Sequence, residues 1–321
     1  MDKETIWPGM SKDILVGDIG GTHSRFALVG NDGRPVQARA YQNDDVGSLE
    51  NVIALYLRET GAKPSAAVLA VAAPAIGPEI ELTNRDWRFR VDDIKKQFGL
   101  TRIRFVNDFE AQAWALPFLG EPGDLVHIGG PDDVPEGPRV VLGPGTGLGV
   151  AALVPRGQSW FAVATEAGHA SFGPAMADEE DVFRRLRQSS PLKAELVLSG
   201  PGLERLHLAL HPGAPFLAAA AVVAASRSGD AAALATTQMF VRLLGRFAGD
   251  MALVFKATGG VYVTGGVAQG LGDHFDVARF REAFETHPPY ADLLAQIPTN
   301  LIMRRQPGLL GCAALAHHSR D

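Results

Sequence analysis

Asn107 and Asp108 stand side by side at the end of the apolar run 103–106. An amide donates and accepts hydrogen bonds, whereas an ionised carboxylate only accepts. Together they can hold a sugar hydroxyl and take its proton. The same dipeptide is also ordinary turn chemistry, an Asx turn closing a strand. Both readings stay open on these two residues alone. The β-branched and aromatic residues of the run predict a buried strand. The C-terminal ends of such strands are where open α/β sheets bind ligands.

Three glycine-rich segments each follow an apolar run. They are Gly17, Asp18, Ile19, Gly20, Gly21 and Thr22; the stretch 143–149, centred on Gly145, Thr146 and Gly147; and Thr264, Gly265 and Gly266. Glycine lets the backbone approach a phosphate and turn N–H groups toward it. Any one segment reads equally as a tight turn. Three together, with Thr22 and Thr146 adding hydroxyl donors, favour nucleotide phosphate. Asp18 would repel a bare phosphate, and a divalent cation such as Mg²⁺ held by its carboxylate, directly or through water, resolves the conflict. No Walker A motif is present, and no G-x-G-x-x-G follows the first strand, which weakens a dinucleotide reading.

A third group is Glu166 and His169, three apart and so able to face one cavity from a single turn. A zinc centre would need more ligands. There is no H-E-x-x-H, and Cys312 has no cysteine partner. Hydrogen bonding to sugar hydroxyls fits the pair better, although a lone histidine is also a common structural residue. Glu195 sits on an apolar stretch just before Ser199 and Gly200. It reads either as a solvated helix face or as a further ligand.

The elements that must position these groups are legible from periodicity. Strands are predicted at 14–16, 24–29, 36–41, 68–72 and 103–106, with Asn31-Asp32-Gly33 as a hairpin turn. Helices are predicted at 47–60 and 91–98. After a Pro, Gly and Asp-rich crossing at 117–138, strands follow at 140–142, 150–154 and 160–164. Residues 179–256 read as mainly helical, with Ser199 capping a helix over 203–210. Strands at 261–263 and 300–303 and a helix at 309–317 complete the chain. Residues 1–11 carry no period and are expected to fray.

The 321 residues include 46% hydrophobic and 21% charged, which suits a globular chain with room for two domains. A net charge of −6 offers no broad basic surface for nucleic acid. The single Cys312 gives no intramolecular disulfide, and no secretory leader is read. The longest apolar tract, 216–225, is too short to span a membrane, so a soluble cytoplasmic protein is expected.

In order along the chain, Gly17-Asp18-Ile19-Gly20-Gly21-Thr22, Leu82-Thr83-Asn84, Val106-Asn107-Asp108-Phe109, the 143–149 loop, Glu166-x-x-His169, Leu198-Ser199-Gly200-Pro201-Gly202 and Pro307-Gly308-Leu309-Leu310-Gly311 resemble the bacterial glucokinases, from about residue 14 to 316. The resemblance implies an α/β, two-domain, actin-like (ribonuclease H-like) fold with an interdomain cleft. It would place 12–118 with 300–321 in a small domain and 119–299 in a large one. It further implies ATP across the glycine loops, Mg²⁺, glucose between the domains, a homodimer, Asp108 as general base, and Asn107, Asp108, Glu166, His169 and Glu195 on the sugar. The reaction expected is phosphoryl transfer from ATP to the glucose 6-hydroxyl, with another hexose or a polyphosphate donor as alternatives. Three positions in two places depart from the family: His23-Ser24 replace the usual Asn-Ala, and Ala167 replaces a glycine. A sugar-responsive regulator would need a helix-turn-helix ahead of the first strand. An Hsp70- or actin-like ATPase would lack the 107–108 and 166–169 pairs.

Overall fold

A computed structural model describes residues 14–83, 85–187 and 191–317. The expected fraying of residues 1–11 and the Asn84 end of the 82–84 motif lie outside the described residues. The chain divides into two compact units. One holds the described residues up to Gly120 and from Arg304 onward; the other is Glu121–Met303.

The first unit is built in chain order from β1 (Ile14–Ile19), β2 (His23–Val29), β3 (Pro35–Gln42), α1 (Asn43–Val46), α2 (Leu49–Thr60), β4 (Ala66–Val71), β5 (Glu79–Glu81), β6 (Arg88–Arg90), α3 (Val91–Gln97), β7 (Arg102–Asn107) and α4 (Asp108–Ala115). The main sheet runs β3-β2-β1-β4-β7. β1 pairs antiparallel with β2, and parallel with β4, which in turn pairs parallel with β7. β4 is buried along its whole length, as an apolar central strand should be. α2 buries Leu49, Val52, Ile53 and Tyr56, the stripe its spacing predicts. Ser48 caps it, and Gly61 ends it in the left-handed conformation. β7 corrects the expectation of a buried strand. Of its residues only Val106 is buried, because β7 is the edge of the sheet and Arg102 and Arg104 keep its outer side wet.

The second unit continues with β8 (Leu125–His127), β9 (Arg139–Pro144), β10 (Leu148–Arg156), β11 (Ser159–Thr165), α5 (Glu180–Leu186), α6 (Gly200–Leu210), α7 (Ala219–Arg227), α8 (Ala231–Phe255), β12 (Val261–Val263), α9 (Gly266–Leu271), α10 (Val277–Glu285), α11 (Ala291–Ala295) and β13 (Thr299–Ile302). Its sheet runs β11-β10-β9-β12-β13-β8. β9 pairs antiparallel with β10 and parallel with β12. β12 pairs parallel with β13, and β8 lies antiparallel on the far edge. The first five strands therefore repeat the pairing order of the first unit. α8, capped by Asp230, carries the core of this unit: Phe240, Leu243, Leu244, Phe247 and Ala248 are buried. It packs so closely on α10 that a Cβ at Gly245 would strike the Phe280 carbonyl.

α12 (Pro307–His317) then returns to the first unit. Residues 308–316 are all buried, and Gly311 lies so near the Ala111 carbonyl of α4 that no side chain fits between the two helices. Among the described residues, no helix is long and apolar enough to cross a membrane.

Candidate active site

Gly20–Thr22 is the turn of the β1–β2 hairpin, and Gly145–Gly147 is the turn of the β9–β10 hairpin. Two glycine loops thus occupy the same place in two sheets of the same pairing order. In the first, Gly20 donates to the His23 carbonyl at 3.0 Å. The amides of Gly21 and Thr22 make no hydrogen bond among the described residues. A Cβ at Gly17 would press on the side chains of Leu69 and Phe26. Asp18 points its carboxylate at Gly308, in the first turn of α12, and lies 3.9 Å from Arg25. Burial pushes its carboxyl above the ordinary range, and Arg25 opposes that.

Asn107 and Asp108 sit on the same edge of the first sheet. Ile19, Val71 and Asn107 are register partners across β1, β4 and β7, so the strand ends align. Asn107 caps α4, its Oδ1 accepting from the amides of Phe109 at 2.9 Å and Glu110 at 3.3 Å. The turn reading is therefore realised, and it does not compete with the chemical one. Capping fixes Asp108 in the first turn of α4, half-buried, with Oδ1 accepting from the Phe109 amide at 2.9 Å.

The remaining expected residues belong to the second unit. In the 143–149 loop, Gly145 donates to the Gly147 carbonyl at 2.8 Å and accepts at its own carbonyl from the Gly200 amide at 2.7 Å. The amides of Thr146 and Gly147 make no hydrogen bond among the described residues. Gly265 has φ 94°, and a Cβ there would strike the Pro144 carbonyl, so the third glycine segment packs directly on the second. Gly266 opens α9. Glu166 and His169 flank a 3₁₀ turn, Ala167–His169, closed by the His169 amide on the Glu166 carbonyl at 2.9 Å. Both side chains are exposed. Ala167 does not take a positive φ, so its departure from the family glycine costs this turn nothing. Gly168 packs on the Leu148 carbonyl, which ties the turn to the end of the 143–149 loop. Lys193 lies 3.5 Å from His169 Nδ1.

Glu195 corrects one of its two expected readings. It is not on a solvated helix face but on a partly buried 3₁₀ turn, Ala194–Leu196, with Oε2 accepting from the Leu148 amide at 2.9 Å. The expected residues thus form one group in each unit: 17–22, 107 and 108 in the first, and 145–147, 166, 169, 195, 265 and 266 in the second.

Sequence reading missed two supports of the first loop. Asn43 is fully buried and donates from Nδ2 to the Gly20 carbonyl at 2.8 Å and the Gly21 carbonyl at 3.1 Å. Arg85 donates to the Gly21 carbonyl at 3.1 Å while pairing with Asp44 at 2.8 Å. Neither carries a local signal, because each acts on a loop far from it in sequence. His23, the other departure, is the first residue of β2 and pairs with Gln42. A cavity of about 330 Å³ elsewhere in the second unit holds none of the expected residues. It is lined by the ion network of Asp178, Glu179, Arg242 and Arg246.

A family model described as Glucokinase matches residues 15–319. The chain is 40% identical over 310 residues to a glucokinase of Caulobacter vibrioides (strain NA1000 / CB15N), covering 93% of each. It resembles the solved glucokinase of an Antarctic psychrotroph with TM-score 0.87 and 33% identity, covering 97% of this chain and 100% of that one. A glucokinase of Balamuthia mandrillaris, solved in complex with glucose, shares the fold with TM-score 0.81 and 20% identity, covering 95% of this chain and 93% of that one.

Proposed function

Because the chain belongs to the glucokinase family, we propose that it transfers the γ-phosphoryl group of ATP to the 6-hydroxyl of glucose, giving glucose 6-phosphate and ADP. The observation that carries this reading is the shared edge of the first sheet. There the 17–22 loop and the Asn107-Asp108 pair are held in register at the ends of β1 and β7. On this reading the loop cradles phosphate and the carboxylate faces the hydroxyl, and their position on one set of strand ends supports it.

Asp108 accepts the proton of the 6-hydroxyl as its oxygen attacks the γ-phosphorus. The transition state is loose and spreads charge over the equatorial oxygens. The amides of Gly145, Thr146 and Gly147 serve those oxygens, and Gly20 to Thr22 serve the β-phosphate. Gly265 and Gly266 let the backbone approach the nucleotide. Asn107, Glu166, His169 and Glu195 hold the other sugar hydroxyls, and a site built on such bonds rejects an analogue lacking one hydroxyl by roughly 10⁴. Correct orientation of the reactants contributes on the order of 7–11 kcal/mol.

Asp18 suits Mg²⁺. It is a single, partly buried carboxylate whose ionised form wants a cation, and among the described residues no group of three or more potential ligands forms a cage. Asp18 would hold such an ion directly or through water, and the ion would supply charge neutralisation to the nucleotide phosphates. The finer expectations complete the proposal: an actin-like arrangement of two domains with glucose between them, and a cytoplasmic homodimer.

A coupled assay tests it, comparing ATP, ADP and polyphosphate as donors and glucose, mannose, fructose and N-acetylglucosamine as acceptors. ATP with glucose should give the highest kcat/KM. A clear preference for another donor or another sugar would overturn the assignment.

A further inference from the structure

The 143–149 loop presents its amides from almost bare backbone, so its shape must come from what surrounds it. Besides the packing of Gly265 and Gly168 on its two arms, two contacts come from the segment 195–200. Gly200 donates its amide to the Gly145 carbonyl at 2.7 Å. Glu195 accepts the Leu148 amide on Oε2 at 2.9 Å. A Cβ at Gly147 would run into the same carboxylate, so Glu195 lies flush against the loop. The segment itself is rigid. Ser199 Oγ donates to the Glu195 carbonyl at 2.7 Å and accepts from the Gly202 amide at 3.0 Å, capping α6. Oε1 of Glu195 makes no hydrogen bond among the described residues.

We propose that Glu195 is a positioning residue for the nucleotide loop as well as a sugar ligand, so that hexose and nucleotide affinities are coupled through one carboxylate. The sugar half of this rests on the kinase reading above. The loop half rests on the contacts alone. A charge-assisted bond from a main-chain amide to a carboxylate is stronger and shorter than a neutral one. Oε2 therefore holds Leu148, and with it the C-terminal arm of the loop. A sugar hydroxyl donating to Oε1 fixes the carboxylate plane and stiffens that hold. The ordering cost of the loop is then already met when the nucleotide arrives. Thermodynamic linkage makes the effect reciprocal: glucose tightens the nucleotide by the factor by which the nucleotide tightens glucose.

Calorimetric titration with Mg²⁺ and the non-hydrolysable analogue AMPPNP tests this, with and without glucose. Without glucose, Glu195→Ala should weaken AMPPNP by about fivefold or more, the lower range of such couplings. Glu195→Gln keeps an oxygen for the Leu148 amide but loses its charge, so its AMPPNP affinity should fall between those of wild type and Glu195→Ala. Glucose should tighten AMPPNP in wild type and lose that effect in Glu195→Ala. A cycle with Gly147→Ala guards against simple misfolding. The added methyl clashes with the Glu195 carboxylate, so its penalty on AMPPNP binding should shrink in the Glu195→Ala background. AMPPNP binding by Glu195→Ala that equals wild type, or strictly additive effects in the cycle, would overturn the proposal. Wild-type protein that binds no AMPPNP at all would overturn the kinase reading, and the proposal with it.

Discussion

Asp18 is a carboxylate placed where its charge is costly. Burial raises its pKa in the folded chain, whereas an unfolded Asp titrates near about 3.9. A raised carboxyl pKa means that folding disfavours the ionised form, so the cost is present above the unfolded value and vanishes below it. Asp18→Asn should therefore raise the melting temperature at pH 7, by ~0.5–2 kcal/mol in stability, while abolishing turnover. The gain should disappear in melting curves taken below about pH 4. An unchanged or lower melting temperature at pH 7 would contradict the argument. Asp108 is an acid at a helix start, and its proposed work is proton transfer. Asp108→Asn should keep the glucose KM within a few-fold and lower kcat by ~10²–10⁴ in the coupled assay. Near-normal kcat would remove Asp108 as the base. These two residues were visible in the sequence because each ends an apolar run. Asn43 and Arg85 were not, since their service to Gly20 and Gly21 is a matter of folding and not of spacing.

At the scale of elements, strands and helices with a clear period emerged where expected. β4, α2 and α6 with its Ser199 cap are examples. The short ones were missed for a reason. β5 and β6 have three residues each, charged at both ends around one buried residue, Ile80 or Phe89. Three residues are too few to show alternation. β8 lies inside the Pro and Gly-rich crossing, and only its pairing with β13 makes it a strand. The closest helix contact, α4 against α12, was equally hidden. Gly311 looks like any helical glycine, but a methyl there meets the Ala111 carbonyl. Gly311→Ala should cost about 3 kcal/mol or more in denaturant unfolding, since neither backbone can yield without parting the helices. A cost below about 1 kcal/mol would mean that the contact is looser than described.

The whole molecule repeats itself in a way no short period announces. Both sheets place an antiparallel three-stranded meander beside two parallel strands, and both put a glycine loop at the first hairpin. The likeness lies in pairing order and not in residues, so the sequence carries no repeat of 20–50 residues. The proposed homodimer would show in light scattering as twice the 34.1 kDa chain mass. A single-chain mass at micromolar concentration would remove it. One feature of the chain path governs how such a molecule is made. The first unit is completed by α12, whose residues follow the entire Glu121–Met303 unit in sequence. A ribosome releases polypeptide in order, and domains assemble as units during synthesis. The first sheet, complete in its strands by Asn107, must then wait with the face that α12 will cover still open to water, until translation has passed the whole of residues 121–303.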